Sequence, residues 1–319
     1  FEWLTMPSLF MEAISREKGT LAWLPNFAYN FMADRIREED LKSIRLDSVR
    51  MLISGGEPVR ADSLDKFHRR FSRYGLKREA LVAVYGLAEA TAAVTMTPPG
   101  VEARRVAVKW EELARGFVVP AEVGDNARIC VSSGFPISGC ELRIVDENGE
   151  NLPEGRVGEV VIRSVSLFDG YRNDPEKTAE VLRDGWLFSG DYGFSLGGEY
   201  YIIGREKDII IVAGRKLFPE DIENTVDQLD GVIPGRVIAF GIVDDELGTE
   251  KVCLVAETNA ELEDEKRNIR MIIREECVGI EVTISRIYLA PPRWLIKSSS
   301  GKPSRKANCD RAIASLEWG

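Results

Sequence analysis

Histidine is nearly absent: His68 is the only one in 319 residues. A Ser/His/Asp triad, a histidine acid/base pair and a histidine-rich zinc site therefore have almost no material to work with. Chemistry here has to rest on cations, backbone donors and carboxylates. The five cysteines, Cys130, Cys140, Cys253, Cys277 and Cys309, contain no CxxC pair and are odd in number. That pattern argues against a disulfide framework and fits reduced thiols in a cytoplasmic protein. No apolar run approaches the ~20 residues that span a bilayer, and no basic stretch followed by an apolar one opens the chain. Excess basic charge is missing too. A formal net charge of −10 and a pI near 5.0 disfavour nucleic acid as a partner, while a local cationic pocket for one small polyphosphate stays compatible with them. Internal repeats and low-complexity tracts are also absent.

What is present reads as a two-domain α/β protein. The chain exceeds the size at which one core stops growing, and 44% hydrophobic with 29% charged residues is ample for burial. Apolar spacing predicts helices over 8–19, 28–43 and 61–74, with short strands at 49–58 and 81–91 that break at glycines. From Cys130 to Ile203 short β segments alternate with turn clusters, as in hairpins or a small distorted barrel. After Asp208 a compact α+β unit is expected, with strands at 209–212, 236–243, 251–257 and 282–289 and a helix at 261–276. The expected division is 1–207 and 208–319.

Five stretches carry candidate chemistry. In SGGEP, Gly55 and Gly56 let a backbone approach a planar ligand, with main-chain groups from Gly55 to Pro58, through Glu57, facing an adenine edge; an ordinary tight turn is the other reading. In YGLAEAT, Tyr85 offers a ring to a purine, Gly86 leaves room for a phosphate, and Glu89 supplies a hard oxygen for Mg2+; a core tyrosine and a surface glutamate are the alternative. Asp191 in SGD and Arg205 in GREKD suit the hydroxyls of a ribose, or a surface ion pair. Lys302 follows a glycine in SSSGKPSR, unlike its neighbours Lys297 and Lys306. A carboxylate attacking a phosphate brings two anions together, and an ammonium about 4 Å from the developing charge is worth on the order of 4 kcal/mol at an effective dielectric of about 20. A solvated loop lysine is the plain reading.

Taken in order, SGGEP, YGLAEAT, SGD, GREKDIIIVAGRKLFPEDIE and SSSGKPSR resemble the adenylate-forming superfamily of acyl-CoA synthetases, nonribosomal peptide adenylation domains and luciferases. PNFAY at 25–29, the alanine of YGLAEAT and the stretch at 109–146 are most similar to fatty acyl-AMP ligases, which carry an extra segment like EELARGFVVP. The resemblance implies part of a large α/β adenylation domain with a distorted β-barrel, followed by a small mobile C-terminal domain. It implies ATP and AMP as nucleotides and Mg2+ at Glu89. By match, Tyr85 stacks on adenine, Asp191 and Arg205 hold the ribose, Asp208 is the hinge, Gly214 lines the acceptor channel, and Lys302 contacts the acyl carboxylate and α-phosphate.

The implied reaction joins a fatty acid to AMP and transfers it to the phosphopantetheine of an acyl carrier protein, the extra segment disfavouring CoA. Two departures stand out. Ala88 replaces a threonine found in many relatives, and no Ser/Thr/Gly-rich phosphate loop occurs. Together with a start at Phe1, the latter implies the later part of such an enzyme, inactive by itself. Two alternatives stay open: an acyl-CoA synthetase, and a non-catalytic nucleotide- or partner-binding module.

Overall fold

The computed structural model describes residues 2–122, 126–244, 248–297 and 303–315. They form two compact bodies: Phe1–Val108 with Ile129–Ile203, and Lys109–Arg128 with Gly204–Gly319. The segment 109–128, which sequence order embeds in the first body, groups with the second. The chain therefore passes between the bodies three times.

In the first body, strands β1 (Leu21–Leu24), β2 (Met51–Ser54) and β3 (Leu81–Gly86) run parallel and adjacent, with helices Asn26–Arg35 and Ala61–Phe71 in the connections. LVAVY in β3 is buried at every position, the pattern of a strand covered on both faces. Tyr29, Phe67 and Phe71 anchor the helix side of the core, with Tyr29 and Phe67 edge to face at 5.0 Å. Burying each such ring contributes about 1.5–3 kcal/mol. Among the described residues β1 pairs on one side only, and its Leu21 and Trp23 are exposed.

The chain leaves β3 through a turn too short for a parallel crossover, so β4 (Ala93–Met96) returns antiparallel. Strands β5 (Arg105–Lys109) and β6 (Ala127–Val131) pair as a ribbon, and β7 (Phe135–Pro136) adds to β4. The expected hairpin region forms a second sheet of β8 (Cys140–Val145), β9 (Gly158–Ser164), β10 (Leu182–Arg183) and β11 (Trp186–Leu196), ordered β10-β11-β9-β8, with β12 (Glu199–Arg205) on β11. Gly197 and Gly198, at φ +63° and +78°, make the two-residue turn that matches strand twist between β11 and β12.

The second body is α+β. A short hairpin, β13 (Ile210–Val212) and β14 (Arg215–Leu217), precedes helix Pro219–Asp227. Strands β15 (Val237–Asp244) and β16 (Thr249–Glu257) are antiparallel, and β17 (Arg286–Ala290) lies parallel to β16 after the crossover helix Glu263–Gly279. Alternation along β15 sends Val237 and Ala239 to Ile222 and Ile273, and Ile238 and Phe240 to Leu295 and Ala312. The last strand starts later than the apolar pattern at 282–289 suggests, because Val282 and Ile284 are buried from a loop against the helical side.

Candidate functional site

In the first body the motif residues gather at the carboxyl ends of β2 and β3, where parallel α/β sheets bind ligands. Gly55 follows β2, and a Cβ there would lie 2.5 Å from Val84 Cγ2, so close packing on β3 demands glycine. Gly56, at φ +85°, faces open space. The carboxylate of Glu57 buries Oε1 with no hydrogen bond among the described residues, and Pro58 continues the turn.

Tyr85, the last residue but one of β3, donates from its hydroxyl to Asp191 Oδ2 at 2.8 Å, joining motifs 106 residues apart. Both are buried, Tyr85 at 7% exposure and Asp191 at 6%. Much of the Tyr85 ring is thus committed to the core. Asp191 reaches it through an irregularity: the β9–β11 register shifts between Phe188 and Tyr192, with Gly190 at φ +66°. Bulges of this kind re-aim side chains. Ser189 Oγ accepts from Asp191 N at 3.0 Å, and Glu159 Oε1 accepts from Gly190 N at 2.9 Å, so the bulge is held from within.

The turn after Tyr85 is strained. Thr91 sits at φ 70°, ψ −55°, and Ala92 N donates to Ala90 O at 2.9 Å, which is the rare γ-turn. Its carbonyl at Ala92 occupies the space a Cβ on Gly86 would need. The fold itself therefore accounts for Gly86, apart from any ligand. Glu89 is half-buried on this turn and accepts from Tyr171 Oη at 2.6 Å, while Phe168 N donates to Glu89 O at 2.8 Å. Tyr171 is 82 residues away in SLFDGY, and no local pattern marks it as a partner. Ser189 was within reach of the SGD motif.

Among the described residues no three His, Cys, Asp or Glu side chains group as a metal cage. A lone carboxylate such as Glu89 still fits Mg2+, which keeps most of its waters and takes its other ligands from phosphate oxygens. Zinc and iron cages are poorly served by such a donor set.

The remaining candidates lie on the second body. Arg205 ends β12 and is exposed. Gly214, at φ +79°, completes the two-residue β13–β14 turn with Ala213 at φ 49°, and no atom lies within 4 Å of where a Cβ would be. Asp208 closes a 3-10 turn with Oδ1 3.5 Å from Arg305 Nε. Arg305 also meets Glu220 at 3.4 Å, forms a close pair with Glu223, and donates to Ala239 O at 2.7 Å. Three carboxylates thus share one guanidinium. Burial pushes the Glu223 carboxyl up to about 7, with Arg305 pulling down and Glu220 pushing up. Burial lowers the Arg305 pKa, but Glu223, Glu220 and Asp208 more than reverse it and keep the group charged. Lys302 lies outside the described residues. Its neighbour Lys297 has its pKa lowered by burial and by Arg236.

Residues 109–128 also belong to this body. Helix Trp110–Ala114 packs Ala114 into the cluster of Ile222 and Val282. Arg128 pairs with Asp221 at 2.8 Å, each side chain 10% exposed, and its guanidinium lies over the rings of Trp110 and Phe218 at 5.8 and 5.5 Å. A solvated surface excursion does not bury an ion pair.

The family model for AMP-binding enzymes matches residues 2–172. A 4-hydroxyphenylalkanoate adenylyltransferase of Mycobacterium tuberculosis is 30% identical over 97% of this chain and 52% of its own length. The medium-chain-fatty-acid–[acyl-carrier-protein] ligase JamA of Moorena producens is 32% identical over 94% of this chain and 53% of its own length. Solved structures of fatty acyl-adenylate ligases from E. coli and L. pneumophila include one that superimposes with a TM-score of 0.89 at 29% identity, over 98% of this chain and 57% of that one. The chain spans about half the length of the relatives it matches.

Proposed function

Because the chain belongs to the AMP-binding enzyme family, we propose that this protein activates a fatty acid with ATP. A carboxylate oxygen attacks the α-phosphorus, a new P–O bond forms, the bond to the oxygen bridging the α- and β-phosphorus breaks, and pyrophosphate leaves acyl-AMP behind. The observation that carries this reading is the Tyr85–Asp191 hydrogen bond at the carboxyl end of β3. It sets a buried carboxylate, pre-oriented by a phenol, where vicinal ribose hydroxyls would donate to it. Arg205 supplies donors to the same sugar, Gly55 to Pro58 border the base with the Tyr85 ring, and Lys302 offsets the charge that develops at the α-phosphate. Mg2+, when bound at Glu89, neutralises the polyphosphate. The Glu89 carboxylate is held for that role by Tyr171.

The acyl group then passes to a thiol, the phosphopantetheine of a carrier protein: the sulfur bonds to the acyl carbonyl carbon, the bond from that carbon to the AMP oxygen breaks, and AMP leaves as the thiol gives up its proton. The buried anchoring of 109–128 in the second body supports this acceptor. Turning that body about Asp208 to admit CoA has to carry the extra segment with it. The named acceptor of JamA points the same way. Carboxylate-dependent exchange of labelled pyrophosphate into ATP, followed by offering CoA or holo carrier protein, tests both steps in the protein as its gene encodes it. Carrier acylation without acyl-CoA is expected. Efficient acyl-CoA formation assigns the CoA-dependent reaction instead, and absence of exchange removes the adenylation reading in favour of a binding module.

A further inference from the structure

One loop grips the turn that carries Glu89. Glu89 Oε1 accepts from Tyr171 Oη at 2.6 Å, its carbonyl accepts from Phe168 N at 2.8 Å, and the carbonyl of Ala90 accepts from Ser166 Oγ at 3.2 Å. Thr91 Oγ1 returns a bond to Ser166 O at 3.1 Å. Tyr171 is in turn fixed by the helix that follows it. Asp174 caps helix Pro175–Val181 by accepting from Lys177 N at 2.9 Å. In the first turn of that helix Thr178 uses its hydroxyl twice: Oγ1 donates to Asp174 O at 2.8 Å and accepts from Tyr171 N at 2.9 Å. Only a hydroxyl fills both roles there. Gly170, at φ +145°, lets the loop lie against this side chain, since a Cβ would stand 2.6 Å from Thr178 Cγ2. Phe168 meets the Tyr171 ring edge to face at 4.9 Å. The phenol therefore reaches Glu89 from a backbone and a ring that are both held.

Resting on the adenylation reading above, we infer that Tyr171 makes Glu89 a one-oxygen ligand and so selects Mg2+ over Ca2+, with Thr178 as the residue that positions Tyr171. The phenol occupies Oε1 and leaves Oε2 to face a cation. Mg2+ demands a near-ideal octahedron and keeps several waters, whereas Ca2+ gathers about six to eight oxygens and often takes two from one carboxylate. A carboxylate with one oxygen already bonded suits the first ion better than the second. Neither Tyr171 nor Thr178 touches the metal.

Tyr171→Phe, Thr178→Val and Thr178→Ser test this in the protein as its gene encodes it. Calorimetry reads the affinity for α,β-methylene-ATP presented with Mg2+ or with Ca2+, and pyrophosphate exchange is read across Mg2+ concentrations. For Tyr171→Phe the affinity with Mg2+ falls about tenfold, the scale for losing the partner of a metal-ligating carboxylate. The affinity with Ca2+ changes by less than about threefold, because Oε1 is released to it. The Mg2+ concentration for half-maximal exchange rises by about the same tenfold, and exchange at saturating Mg2+ falls by less than about threefold. Thr178→Val keeps the shape and loses both bonds, and it shifts the Mg2+ affinity the same way by about threefold; Thr178→Ser keeps both bonds and restores it. Equal losses with both ions, or an unaltered affinity with Mg2+ in Tyr171→Phe, overturns the selection. A Thr178→Val protein as selective as the unmodified one overturns the role of Thr178. If the unmodified protein shows no exchange, the adenylation reading fails and calorimetry alone decides: a Mg2+ preference lost in Tyr171→Phe upholds the selection, and no preference to lose overturns it.

Discussion

The two bodies hold their polar groups by opposite means. In the first, a stiff parallel sheet supplies the frame, and departures from it deliver the side chains: a bulge at 189–191 aims Asp191, and the 3-10 turn Ala88–Ala90, just ahead of the γ-turn at Thr91, carries Glu89. Each of these carboxylates meets a phenol, Tyr85 or Tyr171. In the second, one buried guanidinium at the start of a helix gathers three carboxylates, two from helix Pro219–Asp227 and one from the 3-10 turn at Asp208. A neutral donor leaves a carboxylate its charge and the capacity to accept more bonds, which suits a ligand site. A cation shared three ways is a structural joint whose members are already engaged. The difference separates residues kept ready from residues used up.

The contrast breaks most visibly at Arg305. Arg305→Met leaves three carboxylates without their cation and is expected to destabilise the second body by about 3–5 kcal/mol. Chemical denaturation followed by hydrogen exchange reads this body by body, and the first is expected to keep its protection. Next comes Lys302→Ala, expected to lower adenylation at least ~10²-fold with both bodies folded. An unchanged pyrophosphate exchange takes Lys302 out of the reaction.

Glu223 sharpens the comparison through pH. Its folded pKa is raised from 4.5 to about 7, so its contribution to stability is fully present below the lower value and is lost as pH rises through the upper one. The second body therefore weakens across that window, by no more than about 3 kcal/mol from this group at about 1.36 kcal/mol per pKa unit. Glu223→Gln is expected to flatten the profile in urea titrations at several pH values. Tyr85→Phe has the smallest effect on folding, about 1–3 kcal/mol, since it removes the donor to a buried carboxylate. Its larger trace is in calorimetry with AMP, where affinity is expected to fall about tenfold as Asp191 loses its orientation.

Much of the frame was legible from local pattern. LVAVYG announces a buried strand that stops at a glycine, and the apolar alternation at 236–243 and 251–257 anticipates β15 and β16 within a few residues. The motifs named both ends of the Tyr85–Asp191 bond without revealing that they touch. Three things were hidden because they depend on tertiary partners. Nothing near Glu89 in sequence points to Tyr171, and nothing in GKPSR says that its arginine meets Asp208, Glu220 and Glu223. The allegiance of 109–128 rests on Arg128 meeting Asp221, 93 residues later. Gly86 teaches a subtler point: a glycine in a ligand-like motif is required by the carbonyl of Ala92, whatever binds beside it.

Strand β1 has a practical consequence. Among the described residues its outer edge has no strand partner, and Leu21 and Trp23 stand beside it at 60% and 50% exposure. Such an edge is a template for clumping. Purified at high concentration, this 319-residue polypeptide is expected to turn cloudy with time, and lysine in place of Trp23 is the simplest remedy for anyone preparing samples.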